Sequence, residues 1–141
     1  MSSELAVGLT FKKTLIVTDD LVVPALPAVF RGLDLMPKVL ATPFVVALIE
    51  WTCIEGLREH LGADQISVGT HVAIDHSAAT PVGMRADAEA QLVEIDGRRV
   101  RFDVICRDAK DVIAKGRHDR FIVDVSRFEK ALADKRGEGV G

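Results

Sequence analysis

The sequence contains no tyrosine, one tryptophan and six phenylalanines, so aromatic residues make up only 5% of it. It has no surplus of positive charge either. Lysine and arginine number 18 against 21 aspartates and glutamates, a formal net charge of −3 at pH 7. These two shortages exclude the basic, aromatic-studded surface of a nucleic-acid binder, and no nucleic-acid partner is expected. A small anionic ligand stays open, because local charge matters more than the total. Only two cysteines occur, Cys53 and Cys106, each among apolar residues. They read as buried thiols behaving as small hydrophobes rather than a disulfide framework. The longest apolar run, Phe44 to Ile49, falls far short of the roughly 20 residues that span a bilayer. The opening Met1-Ser2-Ser3-Glu4 lacks the basic region and apolar run of a signal peptide. The expectation is a cytoplasmic protein without a membrane partner.

What is present suits one globular domain over residues 1–141, with a frayed tail at 136–141. Leu5, Val7, Leu9, Phe11, Leu15 and Val17 fall on odd positions, so 5–18 reads as a half-buried strand. A connection punctuated by Pro24, Pro27 and Pro37 follows, with a short helix expected near 25–31. Long connections of this kind are often binding loops or lids. Thr42-Pro43 reads as an N-cap and first helical residue, opening a helix that should run to about Leu61 and stop at Gly62. Its first half, Phe44 to Ile49, is apolar on every side, as in a helix surrounded by protein.

Four more strands are expected, at 65–76, 84–95, 98–107 and 111–125. Ile66, Val68, Val72 and Ile74 would mark the inner face of the first of these. Alanines 86, 88 and 90 in the next suggest close approach of the helix. Asp96-Gly97 signals a hairpin. Ser126-x-x-Glu129 reads as the capping box of a short last helix. The sum is an α+β fold: a five-stranded antiparallel sheet, its last four strands a meander, wrapped around one long helix. The apolar half-helix needs cover, which a dimer would supply.

Several residues look out of place in this pattern. Glu50 follows six apolar residues and precedes Trp51. It sits at a cavity edge with a functional role, or it lies on the one wet stripe of the helix or pairs with an arginine. His76 continues the inner register of its strand, either as a general acid or base or as a satisfied strand-end histidine. Thr42 caps the helix, and could also face a substrate beside the free N–H groups there. Gly69 interrupts its strand, which marks a bulge or a close approach. Arg98, Arg99, Arg101 and Arg107, alternating with Asp103 and Asp108, read as a solvated face. His118 and Arg120 fall near the inner register of the last strand, where a phosphate-bearing ligand would account for Arg117 and Arg120. His71 and His76 face opposite sides of their strand, and no cluster has metal-ligand spacing, so no metal is expected.

The ordered set Ala41-Thr42-Pro43, Leu48 to Cys53, Val68-Gly69-Thr70, His76-Ser77-Ala78-Ala79-Thr80-Pro81, Glu94 to Arg99 and Gly116 to Arg120 resembles the fluoroacetyl-CoA thioesterases and their hot-dog relatives. The likeness covers roughly residues 5–130. It implies a hot-dog homodimer that hydrolyses short acyl-CoA thioesters without a cofactor. It places the catalytic threonine, glutamate and histidine on Thr42, Glu50 and His76, and substrate contacts on Gly69 and Arg120. One departure stands out. The fluoroacetyl enzymes carry a phenylalanine on a lid ahead of the threonine, and here Met36 occupies that place. A methionine has no ring to discriminate a C–F group, so Met36 should contact substrate with a broader short-chain acyl preference.

Thr42 and Glu50 lie eight residues apart, hence roughly 12 Å along one helix, so they cannot touch within it. A site combining residues of two protomers is the expectation. Either Thr42 or Glu50 could be the nucleophile, with His76 moving a proton. Two rivals remain on the same scaffold: an acyl-CoA hydratase or dehydratase, and a non-catalytic acyl-CoA binding module.

Overall fold

The structure, a computed structural model, describes residues 4–137. Five strands form one antiparallel sheet: β1 (Thr10–Ile16), β2 (Gln65–His76), β3 (Arg85–Asp96), β4 (Arg99–Arg107) and β5 (Val112–Asp124). Helix α1 (Thr42–Leu57) lies against one face of it, and α2 (Val125–Lys135) follows β5. This is the expected sheet around one helix. The strand order is β1-β3-β4-β5-β2. Only β3, β4 and β5 form a meander, because β2 crosses to the far edge and pairs with β5. Local pattern specifies strands but not which remote strand completes a ladder.

The core lies between α1 and the sheet. Val45, Leu48, Ile49, Cys53 and Leu57 of the helix meet Ala86, Ala88, Ala90 and Leu92 of β3 and Phe102 of β4, all buried. The alanines leave room for the helix, as their run suggested. Gly97 closes the β3–β4 hairpin with φ at 61°, a left-handed conformation that favours glycine. The opposite side of α1 is only partly covered: Ala47, Trp51 and Ile54 form an exposed stripe at helical spacing, with Lys13 Nζ of β1 5.0 Å from the centroid of the Trp51 ring.

Several local expectations are corrected. The first strand is shorter than 5–18. Helix α1 ends at Leu57, and a single 3-10 turn (Arg58–His60) precedes Gly62. The helix expected at 25–31 is replaced by two 3-10 turns, Val23–Ala25 and Leu33–Leu35. Pro24 and Pro27 remove the N–H groups that a continuous helix would need. Ser126 forms no capping box; its hydroxyl donates to Asp64, and Asp124 is the N-cap residue. The frayed tail expected at 136–141 lies outside the described residues from 138 on. Among the described residues no helix is long and apolar enough to cross a membrane.

The face of β2 also changes partway along. Gly69 pairs with Arg120, but the next partnered residue is His71, opposite Asp119, so Thr70 is bulged out. Directly opposed residues share a face. Ser67 and Gly69 therefore lie on the helix side with Arg120, whereas Val68 lies on the outer side with the exposed Phe121. Beyond the bulge the even positions Val72, Ile74 and His76 turn inward. Ile66 and Val68 were expected on the inner face and are not there, because one bulged residue inverts the alternation.

Candidate active site

Two polar clusters stand at different places along α1 and β2. The first is at the helix start. Ala41, not Thr42, is the N-cap residue; Thr42 is the first helical residue, followed by Pro43. The Thr42 hydroxyl is thus not spent on a cap. It lies 2.7 Å from Nδ1 of His76, at the end of β2. His76 Nε2 is buried and has no hydrogen-bond partner among the described residues.

The segments flanking this pair are tied together. Leu40 N–H donates to the Thr80 carbonyl at 2.8 Å, and Val39 bridges Pro81. The buried Thr80 hydroxyl in turn donates to Asp108 at 2.9 Å. Burial works to raise the Asp108 carboxyl. The backbone N–H groups of Lys110 and Asp111 and the Thr80 hydroxyl outweigh it and hold the group below the usual carboxylate range. Asp108 is therefore a loop anchor, not part of a solvated face.

The second cluster surrounds Glu50, about two turns along α1. Its Oε2 accepts from Arg120 Nη1 at 2.8 Å, so the arginine alternative for Glu50 holds. Arg120 is 3% exposed. Its Nε donates to Ser67 Oγ at 2.7 Å and its Nη2 to the Ser67 carbonyl at 2.8 Å. A guanidinium so fully met inside the chain needs no phosphate to explain it. A Cβ on Gly69 would sit 2.6 Å from Glu50 Oε2, so only glycine lets the carboxylate take this position. Glu50 and Gly69 line an open depression of about 250 Å³ with Val46, Thr70, His71, Val72 and His118. Neither Thr42 nor His76 lines it, so one chain does not bring the carboxylate and the imidazole into one cleft.

Ser67 and His118 are the members that sequence reasoning assigned no role. The signal for Ser67 was parity: it shares odd numbering with Gly69, and both oppose the even-numbered inner face of β5. On the outer face, Asp119 lies beneath Arg101, which bonds it at 2.8 and 3.0 Å, and Arg99. Those arginines form an organised ion cluster with Glu94 rather than a solvated stripe. The Arg101 hydrogen bond, opposed by burial, holds the Asp119 carboxyl below its usual range. Burial pushes the Cys53 thiol up to about 12 and the Cys106 thiol up to about 11, so neither offers a thiolate. Met36 ends the second 3-10 turn of the connection, where Leu35 and Phe30 are also exposed.

One helix held by a five-stranded antiparallel sheet defines the hot-dog class, in which the structures this chain resembles include thioesterases. The solved structures agree. The fluoroacetyl-CoA thioesterase FlK superposes with a TM-score of 0.91 at 30% identity, over 94% of this chain and 98% of that one. A thioesterase superfamily member from Thermus thermophilus superposes with a TM-score of 0.83 at 25% identity, over 94% and 93%. The chain belongs to the FlK family, described as fluoroacetyl-CoA-specific thioesterase, whose sequence profile matches residues 24–126. The fluoroacetyl-CoA thioesterase of Streptantibioticus cattleyicolor is 34% identical over 103 residues, 73% of this chain and 74% of that protein.

Proposed function

We propose that this protein hydrolyses short-chain acyl-CoA thioesters as a cytoplasmic homodimer. Each site combines Thr42 and His76 of one copy with Glu50, Gly69 and Arg120 of the other. The observation that carries this reading is the 2.7 Å contact between the Thr42 hydroxyl and His76 Nδ1, because a nucleophile bonded to its base is the signature of covalent acyl transfer. With Nδ1 accepting, Nε2 carries the other proton. That buried N–H finds no partner among the described residues of one chain, and leaving such a donor unmet costs about 1–3 kcal/mol. A carboxylate from a second copy would satisfy it and complete a hydroxyl–imidazole–carboxylate set.

The architecture supports the pairing of copies. β2 is a 12-residue strand at the sheet edge, and its outer backbone groups are a template for another strand. The exposed stripe of Ala47, Trp51 and Ile54 lies on helix α1, which also contacts β2. Gly69 and His76 are seven residues apart on β2, roughly 23 Å. A two-fold axis near the middle of that strand lays the Gly69 segment of one copy beside the His76 segment of the other.

In the proposed reaction His76 Nδ1 takes the Thr42 proton as Oγ1 attacks the acyl carbon. The C–S bond breaks, and the CoA sulfur leaves with that proton. Water, giving one proton to Glu50, then attacks the acyl-threonine ester; its acyl C–O bond breaks, the free acid leaves, and the proton passes from Glu50 to Thr42 Oγ1. Arg120 holds the Glu50 carboxylate in place for this step. Met36, with its flexible thioether, contacts the acyl end and accepts acetyl and fluoroacetyl groups alike.

Subunit mixing tests the shared site. Thr42→Ala and Glu50→Gln chains, each inactive alone, are exchanged into heterodimers, and free thiol release from acetyl-CoA is followed. One intact site per heterodimer restores activity. A well-mixed, inactive heterodimer rules out the shared arrangement.

A further inference from the structure

The β5 imidazole of His118 touches neither Thr42 nor His76, yet it is 2% exposed and fully engaged. Its Nδ1–H donates to the His71 carbonyl at 2.8 Å. That bond fixes the tautomer and leaves Nε2 with a free lone pair. Arg120 Nη1 approaches this Nε2 at 3.2 Å, and the same Nη1 donates to Glu50 at 2.8 Å. His118 Cε1 also lies 3.4 Å from the place a Cβ on Gly69 would take, so the ring walls the depression beside Glu50.

We propose that His118 is a positioning residue: its Nε2 accepts from Arg120, orients the guanidinium, and through it holds Glu50 in the reactive geometry. The proposal rests on the reading of Glu50 given above. Ser67 fixes one edge of the guanidinium from β2. Among the described residues only His118 holds the Nη1 corner that reaches Glu50 without adding charge there.

Such a device works only while the ring is unprotonated. A second N–H on His118 would face a guanidinium donor, with no lone pair left to receive it. Burial lowers the His118 pKa, and the charge of Arg120 lowers it further. The bond to the His71 carbonyl and the charges of Glu50, on α1, and Asp119, on its own strand, raise it, and the net shift is downward. From β4 the residue opposite is Phe102, which does not titrate. A base with a lowered folded pKa contributes order that is complete above its ordinary value, near 6.5, and lost as pH falls through the folded value.

Three variants of the full chain test this, with kcat and KM measured for acetyl-CoA and fluoroacetyl-CoA from about pH 5 to about pH 8. His118→Gln keeps an acceptor near the Nε2 position but cannot titrate. Its kcat at the upper end should stay within about threefold of the unsubstituted protein, and its acid limb should move to lower pH. His118→Leu, without an acceptor, should lose about tenfold or more in kcat with KM little changed. Glu50→Gln is the reference for the site itself. An acid limb unmoved in His118→Gln, or an unchanged kcat in folded His118→Leu, overturns the positioning role while an inactive Glu50→Gln leaves the site standing. If His118→Leu does not fold, the acid limb of His118→Gln decides. A fully active Glu50→Gln overturns the site and the positioning role together.

Discussion

Thr42 Oγ1 and His76 Nδ1 meet at 2.7 Å although 34 residues separate them in the chain. Two loops tied by the Leu40–Thr80 hydrogen bond hold them there. If this pair performs the acyl transfer, Thr42→Ala and His76→Ala should each lower kcat by about 10²–10⁴. Both should keep the melting temperature near that of the unsubstituted protein. Because the two act as a unit, the double variant should be scarcely worse than either single one. Steady-state thiol release with thermal melts checks this; losses that multiply would show independent roles.

Gly69→Ala introduces a methyl group 2.6 Å from Glu50 Oε2. Either the carboxylate or the strand must move. A one-ångström misplacement is enough to cost about 10²-fold in rate. The expected outcome is a folded protein with kcat reduced by about tenfold or more. Circular dichroism beside turnover distinguishes this from collapse of the strand.

Met36→Phe puts a rigid ring where the chain has a flexible thioether. The ratio of kcat/KM for fluoroacetyl-CoA over acetyl-CoA should rise. For the unsubstituted chain it should stay within about 200-fold, the reach of a small apolar difference in a pocket. A ratio left unchanged by Met36→Phe would remove this residue from the acyl end of the site.

Asp119 is tied to Arg101 by two hydrogen bonds and is 4% exposed. Asp119→Asn should cost about 1.5–3 kcal/mol near neutrality, the range for hydrogen bonds to a charged group. The folded carboxyl titrates below its unfolded value, near 3.9, so its contribution is complete above that value. It is lost as pH falls through the folded one. Denaturant melts should therefore show the gap between the two proteins closing in strong acid. A gap independent of pH would show that the charge carries none of the effect.

Much of this protein is legible in the chain itself, because near neighbours decide it. Period-two alternation marked the first four strands, and the fifth least cleanly. The alanines of β3 announced the helix above them. Gly69 marked its bulge, and Thr42-Pro43 the start of α1. Eight helical residues were enough to show that Thr42 and Glu50 do not meet in one helix. Tertiary structure decided whatever depends on remote partners. Which strand β2 joins was one such matter. The face on which Val68 lies was another, since one bulged residue inverts an alternation that sequence spacing takes as continuous. The arginine that meets Glu50 lies 70 residues away. Thr42 looked like a cap because threonine often is one; its hydroxyl turns to His76 only because two distant loops are stitched side by side. Local propensity acts over a few bonds, whereas a hydrogen bond between remote side chains exists only once the sheet has brought them together.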